Sequence, residues 1–173
     1  MLGRLRRYAR DRRGATAVEF AMVAAPFFFM MFAIIEIGVV FMISNQLENA
    51  TLAAGRLVRT GQSHAQGMDD DGFKAAVCDR IVGFTGDCAD RLSVDVRVIP
   101  RFQDPNPPDP IQNGTFREGD LGFDGGEAGD IILVRTWYRH PLVTPFMASA
   151  LSRLDGGVAV LSSTTSFRNE PFS

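Results

Sequence analysis

The sequence is poor in residues that carry covalent or metal chemistry. It holds two histidines, His64 and His140, and two cysteines, Cys78 and Cys88. Both histidines fall in stretches that read as loops, and neither is spaced with cysteine or carboxylate as a zinc site requires. There is no G-x-S-x-G elbow and no phosphate-binding glycine loop. Ser162, Ser163 and Thr164 have no accompanying base and read as the solvent face of a strand. These absences argue against an enzyme and against a bound cofactor. Asp69 to Asp71, Asp120, Asp124, Glu127 and Asp130 offer oxygen ligands, but the twelve-position calcium loop with its closing glutamate is missing, so solvated turns and no metal are expected. The chain has no internal repeat, and no charge pattern in its body suggests nucleic acid.

What the chain does have is one long apolar run, GATAVEFAMVAAPFFFMMFAIIEIGVVFMI, from Gly14 to Ile43. As a helix, Phe20 to Ile43 rises about 36 Å, enough for the roughly 30 Å hydrocarbon core of a bilayer. Ahead of it stands MLGRLRRYARDRRG, with Arg4, Arg6, Arg7, Arg10, Arg12 and Arg13 against Asp11 alone. Arginines beside a span stay with the anionic cytoplasmic leaflet, which predicts the N-terminus inside and the body outside. A cleaved secretory signal has a shorter apolar core and a small-residue cut site. Here Ser44, Asn45 and Gln46 follow the run, so a retained anchor is expected. The chain therefore divides into a basic cytoplasmic leader (1–14), a transmembrane helix (15–43), its extramembrane continuation (44–60) and a globular domain (61–173).

Two acids interrupt the apolar run. Glu36 is expected to find its partner within a helix bundle. Glu19 lies close to the start of the helix, where the macrodipole favours an anion at headgroup depth. Its spacing, Gly14-Ala15-Thr16-Ala17-Val18-Glu19-Phe20, also resembles the processing site of type IV prepilin-like proteins. The form G-ATAVEF behind two arginines is similar to that of the TadE-like pseudopilins of the tight-adherence (Flp pilus) system. The resemblance implies that Gly14 precedes the bond cut by a prepilin peptidase, that Ala15 becomes the new N-terminus, and that Glu19 and Phe20 are the fifth and sixth mature residues. It further implies a non-enzymatic minor pilin subunit in a bacterial inner membrane, single-pass, with a periplasmic head that is pilus-associated where the subunit enters the fibre. Its partners would be the membrane, the peptidase, other pilins or pseudopilins and the Tad assembly machinery. WYRHPLVTPF and the ending FRNEPF, with Arg168, Asn169, Glu170 and Pro171, also look TadE-like. The alternative is an unprocessed single-span anchor presenting a periplasmic binding or sensing domain.

A cut after Gly14 would place a cationic amine on Ala15 one helical turn from Glu19, where each charge can compensate the other, within one subunit or between neighbours. It would also remove a head of about +5 from a chain of net charge −2, leaving about −7. Ala17, Ala21 and Ala25 set small side chains four apart on one face. Such a stripe admits close helix approach in lipid, although alanine is also simply a good helix former. Pro26 lacks the N–H that would bond to Met22 and is expected to bend the rod.

The rest predicts an α+β fold: the long N-terminal helix with a small antiparallel or mixed sheet and one or two short helices. Ile43, Leu47, Ala50, Ala54 and Leu57 form a stripe on which the head can dock, and Gly61 ends the helix. Phe73, Val77, Ile81 and Phe84 share a helical spacing. Leu92, Val94, Val96 and Val98 alternate as a half-buried strand limited by Pro100. Residues 103–129 read as an exposed loop. Asp130 to Tyr138 reads as a central strand, Leu142 to Leu154 as holding a short helix with Phe146, Ala150 and Leu154 inward, and Gly157 to Phe167 as a last strand. Cys78 and Cys88, on the side predicted to be oxidising, are expected to pair; two free buried cysteines are the alternative.

Overall fold

The computed structural model describes residues 13–81, 87–103, 105 and 107–172. The arginines before Arg13, which carry the topology expectation, and Phe84 lie outside the described residues.

Helix α1 (Arg13–Arg59) runs unbroken for 47 residues, about 70 Å at ~1.5 Å per residue. Pro26 lies inside it without ending it. Arg56 and Arg59 occupy its last turn, where cations offset the carbonyl end of the dipole. Gly61 ends the helix in the left-handed region, φ 73°, and donates its N–H to the Val58 carbonyl at 3.0 Å. A Cβ there would lie 2.4 Å from the Phe172 ring, so glycine answers both to the backbone angle and to close packing.

Short helices α2 (Gln62–Ala65), α3 (Asp70–Cys78) and α4 (Cys88–Arg91) follow, then strand β1 (Leu92–Val98), the hairpin β2 (Ile111–Gln112) and β3 (Thr115–Phe116), strand β4 (Ile131–Pro141), helix α5 (Pro145–Leu151) and strand β5 (Val158–Arg168). Four short helices thus stand among the described residues where one or two were expected. His64 lies in α2 and His140 in β4, not in loops. Asp69 caps α3, its carboxylate accepting the Gly72 N–H at 2.9 Å.

The main sheet is antiparallel throughout, in the order β1-β4-β5, so the apolar strand DIILVRTWY is central as its composition predicts. One face packs on α1. Ile43, Leu47, Ala50, Ala54 and Val58 from the helix, Phe73, Val77 and Ile81 from the α3 segment, and Leu92, Val94, Val96, Ile132, Val134 and Tyr138 from the sheet make one core. Val58, not Leu57, completes the helical stripe. Gly55 lets β5 approach, with the Phe167 ring 3.1 Å from where a Cβ would be. Ser163, read as solvent-facing, is buried on the helix side opposite Thr136, while Ser162 and Thr164 are exposed.

The other face is covered as well over β1 and β4. Residues 103–129 are not simply an exposed loop: Asn113 (φ 51°) and Gly114 (φ 72°) turn the β2–β3 hairpin, and Phe116 packs edge-on against Trp137 with ring centres 5.8 Å apart. The backbone of 122–124 also lines the outer edge of β1, with the Val96 N–H on the Gly122 carbonyl and the Asp124 N–H on the Val96 carbonyl, both 2.8 Å. This shields an otherwise open sheet edge. In α5 the inward side chain is Met147; Ala150 is exposed and Leu154 bridges to Val158. The Phe146 side chain lies outside the described residues.

Candidate functional site

No cluster of three His, Cys, Asp or Glu suited to a metal occurs among the described residues. Asp124 and Asp130 instead serve turns, accepting the N–H of Gly126 at 3.0 Å and of Glu127 at 2.8 Å. Three features stand out: a bare rod, the attachments of the head to it, and a charged network that holds the cover on the sheet.

The rod is the first half of α1. Gly14, Ala15, Ala17, Glu19, Phe20, Ala21 and Ala25 are all exposed, Phe20 at 72 %. Gly14 and Ala15 lie in the first helical turn, and Glu19 is one turn beyond Ala15 on a helix otherwise apolar to Ile35. The alanines fall within one arc of the surface, and all three are exposed. Among the described residues one helix is long and apolar enough to cross a membrane, and only 17 % of its most apolar window is buried. A core helix of a soluble domain would be mostly covered.

The first attachment is at Glu36. Its carboxylate accepts the backbone N–H of Val143 and of Thr144, the latter at 3.1 Å to one oxygen and 3.3 Å to the other. The expectation of a bundle partner is thus corrected: the partner is the start of α5 in the same chain. Glu36 sits seven residues before Ile43 on the buried stripe, which is why the head reaches it. The second attachment is a buried hydroxyl pair, Thr51 Oγ1 to Thr136 Oγ1 at 2.8 Å, with Thr51 also on the Leu47 carbonyl at 2.7 Å.

The third attachment is the C-terminal segment. Glu170 donates its N–H to the Arg59 carbonyl at 2.8 Å, and its carboxylate meets the Arg59 guanidinium at 3.1 Å. Glu170 is therefore paired with the helix end and not with Arg168. Asn169 is buried; its amide nitrogen donates to the Gly125 and Glu127 carbonyls at 2.8 and 3.0 Å, and its backbone N–H to the Asp130 carbonyl at 2.8 Å. Pro171 leads to Phe172, which covers Gly61. RNEPF thus ties β5, the 125–130 turn and the end of α1 together.

Behind the sheet, Asp95 is fully buried between two guanidiniums. Arg135 reaches one carboxylate oxygen through Nε at 3.0 Å and a terminal nitrogen at 2.7 Å; Arg97 reaches the same oxygen at 2.8 Å and also meets the other. The Gly122 N–H adds a bond at 3.1 Å. Arg135 further donates to the Pro108 carbonyl at 2.9 Å and Arg97 to that of Asp120 at 3.1 Å, so the network fastens the loop cover to the strands. Beside it Glu118 accepts from Arg139 at 2.6 Å and Ser93 at 3.1 Å, and the bond from Arg139 holds its carboxyl below the usual range. Cys78 and Cys88 are joined, Cα atoms 5.9 Å apart, linking α3 to α4.

Sequence reasoning missed Thr51, the role of Asp95 and the hairpin. Only the hairpin had a local signal, the dipeptide Asn113-Gly114.

Rod, head and attachments define a class: a single-span membrane anchor carrying an α+β domain. Residues 14–56, the rod and most of its continuation, match the family model described as TadE-like protein. The tail motif lies outside the matched residues. No curated protein and no solved structure matches the chain.

Proposed function

We propose that the protein is a pseudopilin, or minor pilin subunit, of the Tad (Flp) pilus, cut after Gly14 by a prepilin peptidase. It works through surfaces and performs no chemistry. The observation that carries this reading is the uncovered rod from Gly14 to Phe32, which presents Gly14, Glu19 and the Ala17–Ala21–Ala25 stripe together within the TadE-like match. Insertion is with the basic leader in the cytoplasm and the head in the periplasm. Cleavage frees the Ala15 amine, and an amine at that position answers Glu19, whose charge otherwise costs a few kcal/mol near the hydrocarbon.

The competing reading, an unprocessed anchor with a periplasmic binding domain, has one feature in its favour. A cleft of about 570 Å³ is lined by Met68, Asp69, Asp70, Lys74, Ser93 and Glu118 among others. Lys74 is engaged with Asp70 at 3.1 Å and Asp71 at 3.5 Å and Glu118 with Arg139, while Asp69 caps α3. The one cation in the lining is thus taken up by carboxylates, which leaves the cleft little to offer an anionic ligand. Intact mass of the membrane-extracted protein separates the readings. In cells with the peptidase the chain should begin at Ala15, and Gly14→Leu should retain the leader and reduce surface fibres. An uncut wild-type chain in such cells removes the pilin reading.

A further inference from the structure

The head and the apolar rod overlap along α1. The head covers one side of the helix from Ala33 and Glu36 onward, yet on the free side Ile34, Ile35, Ile37, Phe41 and Met42 are still exposed. From Ala33 to Met42 the overlap is about 14 Å at ~1.5 Å per residue. Over that length one side of the helix calls for lipid while the other carries protein. A core of roughly 30 Å ends near Ala33 if it begins at Gly14 and near Val40 if it begins at Phe20, so on either count the overlap straddles the outer boundary of the bilayer.

The part of the head at this level is fixed by Glu36, whose bonds to Val143 and Thr144 hold the start of α5 against the helix. Residues 142–152, LVTPFMASALS, contain no Asp, Glu, Lys or Arg. Val143 is 88 % exposed and Leu151 42 %. The first charge beyond them is the exposed Arg153, whose long stem lets its guanidinium stay with phosphates while the apolar residues lie deeper. A carboxylate at this depth would be costly alone, and the two backbone donors satisfy it.

We propose that residues 142–152 are a second membrane contact, seating the lower rim of the head in the outer interfacial layer of the lipid at the level of Glu36. The lipid is favoured over a second protein because Glu36 fixes the rim to α1 at the level of the exposed Ile34, Ile35 and Ile37, and those residues need an apolar solvent even in a single chain. Anchorage through α1 is the only requirement. The contact is the same in cut and uncut chains, so its test is independent of the processing assay.

The test uses the full chain in vesicles of phosphatidylethanolamine and phosphatidylglycerol at low protein density. An environment-sensitive fluorophore is placed on Val143→Cys, on Leu151→Cys and, as a control at the far end of the head, on Glu127→Cys. The expected result is blue-shifted emission at 143 and 151 that is quenched by lipids brominated on their acyl chains, with neither effect at 127. Water-like emission at both rim positions overturns the proposal. So does shielding that ignores the brominated lipid and appears only as protein density rises, which would assign the rim to a contact between copies.

Discussion

Replacing Asp95 by asparagine tests how the cover is held on the sheet. The carboxylate is fully buried, and the Arg135 side chain beside it is 9 % exposed. The substitution would keep the volume but remove the charge, leaving the Arg135 guanidinium buried with no counter-ion and an amide N–H2 among the Arg135, Arg97 and Gly122 donors. Breaking one side of a buried pair costs about 3–5 kcal/mol, a large share of the roughly 5–15 kcal/mol that stabilises a typical domain. At a urea dependence of about 2 kcal/mol per molar, the unfolding midpoint should fall by roughly 1.5–2.5 M. The chain supplies its own probe: its one tryptophan, Trp137, has the Arg135 guanidinium 4.8 Å from its ring centre and Phe116 against its edge. Tryptophan fluorescence of the detergent-solubilised chain therefore reads the network directly. A second variant separates charge from shape. Removing both partners, Asp95→Leu with Arg135→Leu, should recover most of the loss, because two apolar residues need no counter-ions. Arg97 is 28 % exposed and still has the Asp120 carbonyl. A midpoint shift under about 0.5 M for Asp95→Asn, or a double variant no better than the single one, would refute the account.

Cys78→Ser with Cys88→Ser opens a ten-residue separation and should lower stability by about 3 kcal/mol in the chain-entropy model, read as a lower urea midpoint that matches reduction of the wild type. Glu118 gives a pH dependence. Its pKa is lowered in the fold by Arg139, so its contribution is present above the ordinary glutamate value of 4.5 and is lost as the pH falls through its lower folded value. Acid titration of wild type should therefore weaken the Phe116–Trp137 cover below about pH 4.5; Glu118→Gln should flatten that part of the tryptophan titration.

The helical architecture was legible because its signals are local. The stripe Ile43, Leu47, Ala50, Ala54 follows one helical period, Gly61 marks a left-handed stop, and DIILVRTWY carries the density of apolar residues that a central strand needs. The alternation of Leu92, Val94 and Val96 predicts a half-buried strand, whereas Ser93 and Asp95 on the other face are buried too and Val98 at the strand's end is exposed. What the period could not reveal is that a loop with DPNPPDP at its start folds back to cover the second face, a decision made by Arg97, Arg135 and backbone carbonyls distant in sequence. Glu36 illustrates the same limit. Its place on the buried stripe is readable seven residues before Ile43, whereas its partners, two backbone N–H groups 107 and 108 positions away, are not.

The attachments have a consequence for how the head sits on the rod. Glu36, Thr51 and Arg59 span about 34 Å of α1, and each meets a different part of the head: the start of α5, the middle of β4 and the end of β5. A helix held only by apolar stripes can slide by one turn with modest loss, since leucine, isoleucine and alanine stripes repack when total volume is kept. Here a one-turn slip would strand the Glu36 carboxylate, leave the buried Thr136 hydroxyl without Thr51, which keeps its own bond to Leu47, and drive the Phe172 ring away from the only residue at the helix end without a Cβ. The first two are desolvation penalties of about 1–3 kcal/mol or more each, and they act together. Register is therefore set by polar groups and by one glycine, while the apolar stripe supplies the attraction.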